Sequence, residues 1–166
     1  TLQSNGSAVP TVAGGITNAQ QWRISANLTG SQDPIAANWE EADTDGYNRL
    51  GDAMTQSSGI FTFPTTGFWL IIFMFTHEGD AGASEYNTGV IQTTSNNSSY
   101  GSASESYNSL YGSVYSGNSV NFVFDVTNTS THKVRFSSAV QNNGTVLQGD
   151  TGNNRTSATF IKLADT

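Results

Sequence analysis

The sequence predicts an all-β domain, an antiparallel β-sandwich of jelly-roll type. Three observations lead there. Several short segments alternate apolar and polar side chains with a period of two, the pattern of half-buried strands. Turn-forming residues separate them. Ser, Thr, Asn and Gly are abundant, including 17 glycines, and Ser, Asn and Gly all disfavour helix interiors. Aromatic residues make up 11% of the chain, which argues against disorder.

Residues 1–19 carry few large apolar side chains and read as a linker or extended N-terminal arm, with the folded domain spanning 20–166. Trp22, Ile24, Ala26 and Leu28 alternate with Arg23, Ser25 and Asn27 as a first strand. A polar, acidic stretch follows from Ser31 to Asp52. Gly59–Phe63 is a short strand, Pro64–Gly67 a turn, and Phe68–His77 a long apolar strand. Tyr86–Thr94 is the next strand, centred on Val90 and Ile91. In Glu105–Tyr115 the apolar residues fit either a helical stripe or one face of a strand. Gly112 and the Ser and Asn neighbours favour strand or ordered loop. Val120, Phe122, Phe124 and Val126 alternate cleanly, as do Val134, Phe136 and Val140, with Ser138 interrupting. Asn143-Gly144 between Val140 and Val146 predicts a two-residue hairpin. Thr156–Leu163 is the closing strand.

A length of 166 residues suits one domain with a real core. The net charge of −7 argues against nucleic acid and against an anionic membrane surface as partners. Without cysteine, disulfide frameworks, thiolate zinc sites and cysteine nucleophiles drop out. The first 21 residues lack the basic start and apolar run of a signal peptide, and a start at Thr1 fits a fragment or processed product. The longest apolar run, Phe68–Phe75, is eight residues, against the ~20 a membrane-spanning helix needs.

That run is apolar on both faces. One carries Phe68, Leu70, Ile72 and Met74, the other Trp69, Ile71, Phe73 and Phe75. In a sandwich one face packs inward and the other meets solvent. The second face therefore needs a cover, either a lid from this chain or a neighbouring subunit. No remaining segment is apolar enough for a lid, which favours closed cyclic assembly. Phe68, Trp69, Ile71, Ile72, Phe73 and Phe75 are thus the candidate core or trimer-interface residues, with the choice of face open.

Two stretches carry a family resemblance: Asn38-Trp-Glu with Tyr47-Asn-Arg-Leu-Gly51, and Ser58–Phe75, reading SGIFTFPTTGFWLIIFMF. Tyr47, Gly51, Gly59, Phe61, Thr62, Pro64, Gly67, Phe68 and Trp69 match the pattern of the complement-q and tumour necrosis factor jelly-roll superfamily. Ala158–Leu163 is similar to that family's closing strand. A narrower set, Trp39-Glu with Ala42-Asp-Thr-Asp-Gly-Tyr47, Met54–Pro64 and Gly15–Arg23, resembles the C-terminal domains of fibre-like structural proteins of marine bacteriophages, cyanophages among them. The resemblance implies a trimeric tip on a virion-anchored stalk, displayed on the virion surface.

Glu41-x-Asp43-x-Asp45-Gly46, closed by Asp52, has the spacing of a calcium loop. It departs in using Glu41 and Asp52 at the first and last ligand positions, and no strong helix flanks it, so a solvated acidic loop is the expectation and no cofactor is assigned. His77 and His132 are the only histidines. No nucleophile elbow, HExxH pair or phosphate-cradling loop is present, so no catalytic residues are assigned and no enzyme is expected. His77, ending the apolar strand, reads as a strand-end or interface residue. Trp39, Tyr100, Tyr107, Tyr111 and Tyr115 are candidates for a recognition surface, since aromatics with a polar edge suit contacts to carbohydrate or protein. The expectation is a homotrimeric virion-appendage domain that clamps three chains and attaches to a host-surface glycan or protein. The alternatives are a capsid-decorating or stalk-capping protein without a receptor, and an appendage-borne glycan hydrolase.

Overall fold

The computed structural model describes residues 15–166. Most of the arm expected over residues 1–19 lies outside them, and the first strand already includes Ala19. Twelve strands follow in order: β1 (Ala19–Ile24), β2 (Leu28–Thr29), β3 (Trp39–Glu41), β4 (Thr55–Ser57), β5 (Ile60–Thr62), β6 (Gly67–Glu78), β7 (Ala83–Thr94), β8 (Gly101–Tyr111), β9 (Tyr115–Val126), β10 (Lys133–Val140), β11 (Val146–Leu147) and β12 (Ser157–Ala164). Among the described residues there is no helix. Two antiparallel sheets pack face to face. The seven-stranded sheet runs β2-β11-β6-β12-β1-β3, with β9 on the other edge of β6, and the five-stranded sheet runs β4-β5-β10-β7-β8. This is a jelly-roll β-sandwich.

β6 divides its two apolar faces by parity. Trp69, Ile71, Phe73, Phe75 and His77 are buried, while Phe68 and Met74 are exposed and Leu70 and Ile72 half-buried. The buried face meets Phe61, Phe136 and Phe160 in one aromatic cluster. Phe73 stacks on Phe136 with centroids 4.7 Å apart, and Phe61 lies 5.3 Å from Phe160. Each such pair contributes ~1 kcal/mol beyond simple burial. Across the sandwich, Gly89 of β7 lies against the Phe75 ring, which occupies the space a Cβ would take.

Polar residues complete the core at one end. His77, fully buried, joins the sheets: Nε2 is 2.8 Å from Ser138 Oγ of β10, and Nδ1 is 3.2 Å from Asn108 Oδ1 of β8. Asn108 Nδ2 donates to the Ser116 carbonyl at 2.9 Å, which fixes Oδ1 as the acceptor for Nδ1–H. Nε2 then accepts from Ser138. The serine expected to interrupt the β10 alternation is an inward-facing member of it, supplied with a polar partner.

Four other expectations are corrected. The first strand stops at Ile24, so Ala26 and Leu28 do not extend it. The acidic stretch contains β3, whose Trp39 is a core residue. Ser58 and Gly59, with φ of 50° and 77°, close a two-residue β4–β5 hairpin that alternation had not marked. Asn143-Gly144 closes no hairpin. β10 belongs to the five-stranded sheet, whereas β11 pairs with β2 and β6 in the other, so this segment crosses between sheets.

β8 and β9 are the adjoining edges of the two sheets. Asn118 Nδ2 of β9 donates to Ser106 Oγ at 2.7 Å and to the Tyr107 carbonyl at 2.8 Å, stitching one edge to the other.

Two outcomes follow. Gly89→Ala should lose ~1–3 kcal/mol of stability in urea unfolding, because the added methyl must displace Phe75. Burial lowers the His77 pKa from 6.5 to about 4, against a smaller raising effect of its bond to Asn108. The unfolded chain therefore binds the extra proton between those values, and stability falls as pH drops through them, by up to ~3 kcal/mol. Unfolding free energies measured between pH 7.5 and 5 should show this slope, and His77→Gln should abolish the part above pH 5.

Candidate functional site

The outward face of the seven-stranded sheet is apolar where β9, β6 and β12 run side by side. Directly opposed residues share a face. Val123 of β9 and Ile161 of β12 both oppose Leu70, making an apolar row across three strands. Phe68, Ile72 and Met74 extend it along β6. Phe68 and Met74 are 38% and 37% exposed and Val123 49%. Asn121 and Thr159 flank Ile72, and Asp125 flanks Phe68, so polar groups border the patch. Of the candidate core or interface residues, Trp69, Ile71, Phe73 and Phe75 lie in the core, while Phe68 and Ile72 face outward.

The five aromatic candidates separate. Trp39 belongs to no surface. It is buried against Phe61 at 5.1 Å, and its indole N–H donates to the Ile35 carbonyl at 2.7 Å. Tyr100 is half-buried under the Arg135 guanidinium, 4.2 Å from the ring centroid. Burial pushes its phenol up, with Arg135 acting weakly the other way. Tyr107 and Tyr111 project from the outer face of the five-stranded sheet, 55% and 85% exposed. The Tyr107 hydroxyl donates to Glu105 Oε1 at 3.0 Å, and that bond holds its phenol above the usual range. Tyr115 does not continue their strip. The β8–β9 turn carries it into the other sheet, opposite Glu78. Tyr86, 57% exposed, joins the exposed tyrosines of β7 and β8 instead. The register shift between Ser84 and Asn87 breaks the alternation that would have marked it.

Ser138, His77 and Asn108 form a hydroxyl–imidazole–amide series of the kind that activates nucleophiles. Ser138 and His77 are 1% and 0% exposed, so no substrate reaches them in this fold. The series acts as a bridge between sheets.

The acidic loop disperses its carboxylates. Glu41 accepts from Arg49 Nη1 at 2.8 and 2.9 Å and from the Tyr47 hydroxyl at 3.1 Å. Asp43 accepts from Arg23 Nη2 at 2.6 Å. Asp45 lies on an exposed turn, and the Asp52 carbonyl holds Asn18 Nδ2 at 3.2 Å. Among the described residues no three His, Asp or Glu side chains converge into a metal-holding group.

What organises this loop is Arg23, 1% exposed, which alternation had placed among the solvent-facing residues of β1. Besides Asp43 it holds Glu40 Oε1 at 2.8 Å and Thr44 Oγ1 at 2.9 Å. Burial works against its charge, but Glu40 and Asp43 outweigh that, and its pKa is raised. The available signal was the lone base of the strand followed by four acids within residues 40–45. Beside Arg23 a polar cavity of about 360 Å³ opens between β1, the 42–47 loop and the 152–154 turn, with Gln21, Thr44, Asp45, Tyr47, Asn153 and Asn154 in its wall.

No family model matches the chain, and no curated protein sequence matches it. Solved structures do match. Murine APRIL at pH 5.0 superposes with a TM-score of 0.64 at 12% identity, over 88% of this chain and 98% of that one. Eiger TNF from S. frugiperda gives 0.59 at 14%, over 92% and 96%. The globular domain of zebrafish complement 1qA protein gives 0.54 at 17%, over 87% and 94%. At such identities the likeness is one of fold: the chain adopts the tumour-necrosis-factor and complement-q type of jelly roll.

Proposed function

We propose that the domain is the homotrimeric knob of a virion appendage, which clamps three chains together and attaches to a host surface. The observation that carries the reading is the outward apolar face built by Phe68, Leu70, Ile72, Met74, Val123 and Ile161. Six such side chains make a patch on the order of a few hundred Å², the size at which monomers stop and interfaces begin. Nothing polar on β6 relieves it before Thr76. A closed cyclic assembly covers such a face on every copy. The likeness in fold favours a trimer, and the sequence resemblance to phage fibre domains is what favours a virion-borne stalk.

Attachment falls to the other sheet. Tyr107 and Tyr111 stand on the outer face of the five-stranded sheet, across the sandwich from the assembly patch, so they stay free when the patch is covered. Tyrosine brings a large contact area and a hydroxyl at small cost in rotamer freedom, which suits glycan or protein contacts.

Light scattering after size exclusion should return three times 17.6 kDa at micromolar concentration. The two faces of β6 then respond differently to a carboxylate. Ile72→Asp should give a folded monomer, because only assembly covers that position. Phe73→Asp buries an unpaired charge in the core and should leave little soluble folded protein. A wild-type monomer, or an Ile72→Asp trimer, would rule out this face as the interface.

A further inference from the structure

The exposed tyrosines of β7 and β8 surround a fault in the ladder. Ser84 opposes Leu110 and Asn87 opposes Asn108, so β7 advances three residues where β8 advances two. Glu85 and Tyr86 therefore both face Ser109 in a β-bulge, and both are exposed. Tyr107 and Tyr111 stand two residues to either side of Ser109 on the same strand face. A cleft of about 400 Å³ opens here, lined by Ala83, Glu85, Ser109 and Tyr111 among others. The Glu85 carboxylate has no hydrogen-bond or ion-pair partner among the described residues.

We propose that this cleft takes an arginine side chain of a host-surface protein, its guanidinium lying on the Tyr111 ring and against the Glu85 carboxylate; the inference deepens the attachment reading above and rests on it. Charge decides the ligand class. From residue 50 to residue 132 the sequence holds no lysine or arginine, so β7 and β8 bring only Glu85 and Glu105 as charged groups. The cations of this sheet, Lys133 and Arg135, lie on β10 and are engaged. Lys133 Nζ serves Thr62 Oγ1 and the Thr129 carbonyl, and Arg135 Nε serves Gln92 Oε1 at 2.6 Å. Gln92, opposite Arg135, is six residues along β7 from Tyr86, about 20 Å at strand spacing. That is twice the Debye length of about 8–10 Å in physiological salt, so neither cation neutralises the cleft. An anionic partner is repelled, and a neutral sugar makes no use of the free charge.

Arginine suits the remaining features. Its planar guanidinium stacks on an aromatic face and also meets a carboxylate edge-on. The chain makes the same choice within itself, where the Arg135 guanidinium lies 4.2 Å from the Tyr100 ring centroid. The bulge is fixed before a partner arrives. Ser84 Oγ donates to Asn87 Oδ1 at 2.5 Å, and Asn87 Nδ2 donates to the Ser84 carbonyl at 3.3 Å, both buried. Gln141 Oε1 accepts the Glu85 N–H at 2.6 Å, and the Gln141 N–H reaches the Tyr86 carbonyl at 3.2 Å. Little backbone ordering is left for binding to impose.

Saturation-transfer NMR on the intact chain tests this, with blocked peptides GRGRG and GQGQG and the methyl glycosides of glucose, galactose and mannose as probes. GRGRG should bind, and GQGQG should bind at least tenfold more weakly. Raising sodium chloride from about 50 to about 500 mM should weaken GRGRG several-fold, because the charges are exposed. Glu85→Gln and Tyr111→Ser should each weaken it about tenfold while leaving the mass in light scattering unchanged. The proposal is overturned if GRGRG does not bind, if GQGQG binds equally, or if Glu85→Gln binds as well as the parent. The same probes separate this inference from the reading beneath it. A glycoside that binds in place of GRGRG and is lost in Tyr111→Ser overturns the arginine and keeps attachment on this face. GRGRG binding by a wild-type chain that light scattering finds monomeric keeps the cleft and overturns the trimer.

Discussion

Gly67–Glu78 is a strand that leaves nothing to solvent along its edges. β9 pairs with it over its whole length, from Gly67 opposite Val126 to Glu78 opposite Tyr115. On the other edge β12 covers Phe68–Met74 and β11 takes over at His77 and Glu78. Thr76, between those two partners, is served from outside any ladder: its N–H reaches Thr156 Oγ1, its hydroxyl the Arg155 carbonyl, and its carbonyl accepts from the Gln148 N–H. Much of the topology follows from supplying partners to this strand. The chain must leave β10 in one sheet and cross to lay down β11 in the other. The two-residue β2 exists as the outer neighbour of β11.

The strand's inward face sets the constraints on its opposite number. Phe75 needs a partner without a side chain, and Gly89 supplies the space. His77 needs hydrogen-bonding groups from the facing sheet, and Asn108 and Ser138 are placed for it. An imidazole buried without these partners would cost several kcal/mol. Arg23 poses the same problem two strands away, on the other side of the sheet. There the answer is a loop folded over it, with Glu40, Asp43 and Thr44 taking its three nitrogens.

Regular alternation made the long strands legible. Val120, Phe122, Phe124 and Val126 of β9, and Val134 and Phe136 of β10, each commit one parity to the core. β2, β3, β4 and β11 were not legible, because two or three residues carry no period. Trp39 in an acidic stretch looks exposed, and what buries it is the distant pair Phe61 and Phe136. For the assembly face, the apolar run was plain but its parity was not, since both faces qualify. Long-range partners decided it, namely Gly89, Ser138 and Asn108. The tyrosines misled for a geometric reason: a spacing of four keeps residues on one face only while the strand continues, and the turn at Gly112–Val114 intervenes between Tyr111 and Tyr115. Arg23 was misplaced because alternation says which face a residue takes and nothing about what later covers that face.

The stitched border between β8 and β9 has a consequence for solubility. An open strand edge is a template for another chain, and sandwiches of this kind aggregate edge to edge when one is left long and flat. Here the two longest edges lie against each other, and the Asn118 amide occupies the Tyr107 carbonyl that a foreign strand would seek. The other borders end in β2, β3 and β4, two or three residues each, too short to template a stable ladder. With a net charge of −7 adding mutual repulsion, the domain can be crowded at high local concentration without its sheets fusing into a continuous fibre.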